Sequence, residues 1–186
     1  MSTATQKIFA DYLRQEIVTI GDPFLREPTR TVTNLTEVAP LCNLMVKKLR
    51  EELKGAGLAA NQIGIPARIL VAELRKNELF PTRPESPLYI MINPEIISSS
   101  DEMIDGWEGC FSVPDMVGLV PRHKSIVVKY ITLDGIEHKE TFSEHIARTI
   151  QHEVDHLEGI LYFERMKDMC NIMTRDNFKQ FILKVK

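Results

Sequence analysis

Cysteine is scarce in this chain. Cys42, Cys110 and Cys170 are the three it has in 186 residues. An odd, small number excludes a disulfide-stapled scaffold and suits a reducing compartment, so no disulfide partner is expected. Neither sign of charge dominates. The net charge of −3 argues against a protein that coats nucleic acid. No apolar run approaches the ~18 residues of a membrane span. Met1 to Asp11 lacks a basic start followed by an apolar stretch, so no secretory leader is expected. Repeats and low-complexity tracts are also missing. A cytoplasmic enzyme is the expectation at this point, and a composition 44% hydrophobic suffices for a full core in one domain, residues 1–186.

Coarse periodicity places the elements. Residues 1–15 read as a short helix or a partly frayed segment. Leu41, Met45, Leu49 and Leu53 form an i, i+4 stripe that predicts a helix from about Val38 to Leu53. Pro40 falls in its first turn, where a missing N–H is tolerated, and Gly55 stops it. Strands are expected at Arg68–Glu73 and Tyr89–Ile97, with a proline-containing loop at Asn77–Pro87 between them. Asp134-Gly135 separates the β-rich runs Ser125–Leu133 and Ile136–Phe142 and signals a hairpin. A helix should run from an N-cap at Ser143 to Gly159. A short strand and a last helix from about Thr174 follow. Strands fill the middle without βαβ alternation, which argues α+β rather than a doubly wound sheet.

The helix that begins near Ser143 carries Gln151-His152-Glu153-Val154-Asp155-His156. His152 and His156 are four apart and so share one helix face. Two imidazoles stacked in this way can take two corners of a tetrahedral metal. Glu153 lies beside them, where a carboxylate can take a proton from water that the metal acidifies. The bare pattern also occurs on helices that bind nothing. Ile146, Ile150, Val154 and Leu157 cluster on the opposite side. The helix is therefore expected to be covered on both faces, with its polar face lining a cleft.

A third ligand is needed. A histidine six residues after His156 would complete one known zinc-peptidase pattern, but that position holds Tyr162. A glutamate from a later helix would complete another, but none follows Arg165. A zinc endopeptidase is thus the runner-up reading. Cys110, in Glu108-Gly109-Cys110-Phe111-Ser112, is the remaining candidate, since a thiolate is a strong ligand. Gln62, in Gly55-Ala56-Gly57-Leu58-Ala59-Ala60-Asn61-Gln62, is a polar amide in an apolar setting, and a buried amide needs partners.

These three segments, in this order and spanning much of the chain, resemble the peptide deformylase family. The resemblance implies an α+β fold of antiparallel sheets packed around a central metal-bearing helix, with a C-terminal helix. It implies removal of the N-formyl group from the initiator methionine of newly made polypeptides. By position it makes Cys110, His152 and His156 the ligands of one divalent metal ion, and Glu153 the general base and acid. Gln62 and the backbone N–H of Phe111 become oxyanion donors. Glu108 pairs with Arg122, both are counted among the substrate-binding residues, and Gly57 aligns the substrate. Ligand type does not select the metal; the resemblance suggests Fe(II) in the cell, with Zn, Ni or Co possible. The sequence departs from the family pattern at Asn61 (often proline), Phe111 (often leucine), Val117 (often an arginine near the substrate mouth) and His145 (often apolar).

A formyl-methionyl nascent peptide carries an unbranched apolar side chain, so an apolar slot near the metal is expected. Ala56, Leu58, Phe111 and Thr149 are its candidate lining. The tail from Glu164 to Lys186 holds six basic against three acidic residues on an otherwise acidic chain, so a basic C-terminal helix could touch ribosomal RNA. A merely solvated face explains the same charges. No membrane partner is expected.

Overall fold

The computed structural model describes residues 17–53, 55–77 and 80–184. The helix expected at residues 1–15 lies outside the described residues.

Helix α1 (Ala39–Lys47) begins with a proline in its first turn and passes into a wider π-helical turn, Lys48–Leu53. Leu41, Met45 and Leu49 are buried as the stripe predicts; the side chain of Leu53 lies outside the described ones. Among the described residues, five strands form one antiparallel sheet in the order β1 (Gly57–Ala59), β2 (Ile69–Ala72), β3 (Tyr89–Ser99), β6 (Ser125–Ile131) and β7 (Glu137–Ser143). The Asp134-Gly135 turn joins β6 to β7, but as a longer loop than the two residues suggest. Thr132 and Ile136 close it backbone to backbone at 3.0 Å, and Gly135 takes φ +82°. Three described strands form a second antiparallel sheet, with β5 (Val113–His123) between β4 (Met103–Cys110) and β8 (Ile172–Thr174). This second sheet rests on β4 and β5, which simple alternation does not reveal. Pro114, Pro121 and three glycines interrupt the pattern across the two strands.

Alternation explains how the larger sheet is covered. β2 is buried on both faces and so reads as the unbroken apolar run Ile-Leu-Val-Ala. Ile69 and Val71 point to α1, where they pack with Leu41, Met45, Leu49, Leu58 and Ile63. Leu70 and Ala72 point the other way, to helix α2 (Glu144–Leu157). Ala147, Ile150, Val154 and Leu157 supply that helix's apolar face, against Met91, Ile126, Val128 and Phe142. Each such leucine, isoleucine or phenylalanine contributes ~1.5–3 kcal/mol by leaving water. The polar face of α2 meets the smaller sheet. Arg148 there donates to the carbonyls of Ile104, Gly106 and Val120, and Gln151 clasps both the N–H and the C=O of His123. Both faces of this helix are therefore covered, as its sequence requires.

The ends of α2 are built differently from each other. Ser143 occupies the N-cap position with extended backbone, but its side chain makes no capping bond. β7 runs directly into the helix, and the Glu144 N–H is already met by the carbonyl of Lys124 at 2.8 Å. At the far end Gly159 takes φ +76°, and the first atom of any side chain there would lie 2.5 Å from the carbonyl oxygen of Arg26. After β8 comes α3 (Arg175–Asn177), capped by Thr174, and it widens at once into the π-helical turn Phe178–Leu183.

Two outcomes follow from this packing. Gly159→Ala meets both an unfavourable backbone conformation and the Arg26 carbonyl, and is expected to cost about 1–3 kcal/mol of stability in denaturant unfolding. Cys42 lies wholly within the α1 core, where burial pushes its thiol up to about 11. In the unfolded chain the thiol ionises near its ordinary value of ~8.5. Stability is thus full below that value and declines as pH rises toward about 11. Cys42→Ala should flatten the decline when the two proteins are unfolded side by side across this range.

Candidate metal centre and active site

Three donor atoms from distant segments converge between the sheets. The Cys110 sulfur and one ring nitrogen each of His152 and His156 all lie within 4.8 Å of one another, and all three residues are buried. Cys110 Sγ is 3.1 Å from His156 Nε2. The histidines come from successive turns of α2. The cysteine comes from the end of β4, where pairing with β5 shifts register and a tight turn, Phe111-Ser112, reverses the chain. The shift aims the sulfur at the helix.

The surroundings suit this donor set to a cation. His152 Nδ1 is held by Glu108 Oε2 at 2.8 Å, which leaves Nε2 for the cluster and orients the ring. Burial opposes ionisation of Cys110, but the His156 and His152 imidazoles outweigh it and hold the thiol well below its ordinary range. The sulfur accepts further hydrogen bonds from the Ser112 N–H at 3.3 Å and from Gln62 Nε2 at 3.6 Å. Burial likewise opposes the charge on Glu108, yet His152 and Arg122 keep its carboxyl well below the usual carboxylate range. A thiolate beside two oriented imidazoles is a donor set for zinc or for a first-row metal of similar size. The tyrosine that replaces a third histidine is no part of it: Tyr162 is buried with its ring stacked 6.2 Å from His152.

Glu153 sits beside the cluster at the edge of β1. Burial raises its carboxyl to about 7 against the pull of both histidines. Among the described residues its Oε2 is buried without a hydrogen-bond partner. A side chain on Gly57 would start only 2.7 Å from Glu153 Cγ, so the approach of strand and carboxylate needs glycine. Gln62 is anchored by its own backbone turn. Its Oε1 accepts from the Ala59 N–H at 2.9 Å, and its Nε2 is thereby turned toward Ser112 and Cys110. The amide thus presents donors to the site, as a buried glutamine in that setting should.

A cleft of about 540 Å³ opens over these groups. Of the residues expected to meet substrate, Ala56, Gly57, Phe111, Thr149 and Glu108 line it. Leu58 does not. It is fully buried in the α1 core, because its neighbours Gly57 and Ala59 take the other face of the strand. Arg122 does not line the cleft either. It lies behind Glu108, bound to both carboxylate oxygens at 2.9 and 3.0 Å and to Asp155 at 2.5 Å. Asp155 continues the chain of charges to Arg165 at 2.8 Å.

Sequence reasoning missed three participants. Arg148 binds Glu108 at 2.8 Å, and its place one turn before His152 on the same helix face was the available signal. Ser112 is fully buried and takes a hydrogen bond from Gln62, a role implied only by its place beside Cys110. Asn61 donates through Nδ2 to the carbonyl of His156 at 2.5 Å, a contact between residues 95 apart that no local pattern encodes.

Comparison with known proteins agrees with this geometry. The family described as polypeptide deformylase matches residues 14–171. Peptide deformylase 2 of Nostoc sp. is 35% identical over 170 residues, covering 90% of this chain and 94% of the relative. A class I type b peptide deformylase from Acinetobacter baumannii, solved with Met-Ala-Ser bound, superposes with a TM-score of 0.78 at 38% identity. It covers 81% of this chain and 96% of that one. The deformylase of Thermotoga maritima gives a TM-score of 0.73 at 32% identity, over 82% and 97% of the two chains. Fold, site and kinship agree, and the chain belongs to the polypeptide deformylase family.

Proposed function

We propose that Cys110, His152 and His156 hold one divalent cation, and that Glu153 moves the proton as the N-formyl group is removed from the initiator methionine of newly made polypeptides. The observation that carries this is the convergence of those three donors within 4.8 Å beside a buried carboxylate raised to about 7. Formyl-methionine removal is the activity of the family to which the chain belongs. The zinc-endopeptidase alternative is not favoured, since Tyr162 stands where its third ligand would be.

When bound, the cation polarises the formyl group and makes water acidic enough to attack near neutral pH. The protein's own groups do the rest. Glu153 takes the proton from the attacking water and returns it to the amine nitrogen as the C–N bond breaks. Gln62 Nε2 and the Phe111 N–H donate to the formyl oxygen as it gains charge, and a donor of this kind is worth ~10²–10³ in rate. Gly57 offers backbone to the peptide. Ala56, Phe111 and Thr149 give the methionine side chain an apolar slot, while Glu108 and Arg122 act one layer behind by fixing His152.

Fe(II) is the cation we assign in the cell, with Zn, Ni or Co able to take its place; a mixed sulfur and nitrogen donor set admits all four. Residues 1–186 would act as one deformylase-like unit in the cytoplasm, where formylated nascent chains arise. The three cysteines are unpaired, and no helix among the described residues is long and apolar enough to cross a membrane. Contact of the C-terminal segment with ribosomal RNA is a second proposal, which rests on the charge of that segment. Arg165 is tied to Asp155, and Lys179 lies 3.5 Å from Asp176, so these cations do not form one free basic face.

Two measurements test the reading. Glu153→Ala should fold and keep its cation but lose nearly all deformylation of formyl-Met-Ala; near-full turnover would refute the proton-transfer role. Protein purified anaerobically should contain one equivalent of iron and cleave formyl-Met-Ala but not casein. Stripping the metal should abolish activity and lower the melting temperature, since a ligand bound only by the folded state stabilises it. Air should inactivate the iron form faster than a nickel-reconstituted one.

A further inference from the structure

The cleft contains two guanidinium groups for which the described protein supplies no anion. Arg175 opens α3 and Arg83 lies in the loop after Asn77; both line the cleft. Arg175 Nε is buried without a hydrogen-bond partner. Arg83 lies over the Phe80 ring, 4.4 Å from its centre, and among the described residues it has no ion pair either. The other cations of the cleft are occupied. Arg148 is spent on Glu108 and three carbonyls, and Lys179 is near Asp176. Neither acid of the cleft pairs with Arg175 or Arg83. Glu108 is held by His152, Arg122 and Arg148, and Glu153 stands at the base beside the metal donors.

Position turns this surplus into a statement about substrate. The Arg175 guanidinium comes within 3.6 Å of the point where a side chain on Gly109 would start, and Gly109 directly precedes Cys110. A peptide whose first residue reacts at the Cys110 cluster must continue along this cleft. Partly burying a guanidinium costs hydration, and a carboxylate offers the bidentate partner that restores it. On the deformylase reading above, we propose that Arg175, assisted by Arg83, is a specificity-determining residue that selects formyl-methionyl peptides bearing a carboxylate side chain shortly after the methionine.

The test compares C-terminally amidated peptides, so that only the side chain differs. Formyl-Met-Ala-Glu is paired with formyl-Met-Ala-Gln, and formyl-Met-Glu-Ala with formyl-Met-Gln-Ala. The wild-type protein should favour the glutamate peptide of at least one pair by about tenfold in kcat/KM, the scale of one charge-assisted hydrogen bond. The gain should lie in KM and shrink with added salt. In Arg175→Gln the preference should fall toward unity through a higher KM for the glutamate peptide, and Arg175→Lys should restore part of it. Equal turnover within both pairs by the wild type, or a preference that survives in Arg175→Gln, would overturn the Arg175 assignment alone. No turnover of any of the four peptides would overturn the deformylase reading and this inference with it.

Discussion

Glu108 is the joint on which the site turns. Its two oxygens bind His152, Arg122 and Arg148 at once, and all but Arg148 are almost wholly withdrawn from water. A buried carboxylate without partners is very costly, and removing one partner of a buried pair typically costs about 3–5 kcal/mol. The charges therefore hold each other in place. Through His152 the network reaches the metal donors, and through Arg122 and Asp155 it reaches Arg165, beyond the end of α2. The result is that β4, β5 and α2 cannot slide past one another without uncovering a charge.

That restraint matters because the donors come from elements with no local reason to meet. α2 stands between two sheets. Its apolar face is committed to the five-stranded sheet by Ile150, Val154 and Leu157, which leaves the histidine face turned toward β4 and β5. The β4–β5 turn then delivers Cys110, and the segment Gly57–Gln62 delivers the carboxylate's neighbour and the amide. The chain before α1 ties these last two together. Val18 donates to the Gln62 carbonyl at 2.8 Å and Ile20 to that of Ser112 at 2.7 Å.

Asn61 illustrates how a departure from the family pattern is accommodated. A proline there would stiffen the turn before Gln62 through its fixed φ. Asparagine instead fastens the turn from outside, through its bond to the His156 carbonyl. The turn that aims Gln62 is thus attached to the same helix that carries the histidines. Phe111 is accommodated in a similar way. Its ring packs where a side chain on Gly55 would begin, with Phe111 Cε2 only 2.6 Å from that point, so the glycine that opens the segment Gly55–Gln62 makes room for the larger residue.

The elements readable from sequence were those with a strong local period. The α1 stripe, the apolar run of β2, the two faces of α2 and its stop at Gly159 all repeat a helix or strand spacing, and each stands where it was expected. Cys110, His152 and His156 also come together in space, a convergence that the donor chemistry of their residue types led the sequence reading to expect. The β4–β5 sheet was not readable, since glycines and prolines blur its alternation and its stability comes from pairing rather than from propensity. The removal of Leu58 to the core, the withdrawal of Arg122 behind Glu108 and the arrival of Arg175 in the cleft were decided only by tertiary structure. Sequence alone determines which residue types and spacings are present; which face of a strand meets water, and which charge finds a partner, depends on segments far along the chain. Those pairings are set by burial and electrostatics in three dimensions, and no local pattern records them.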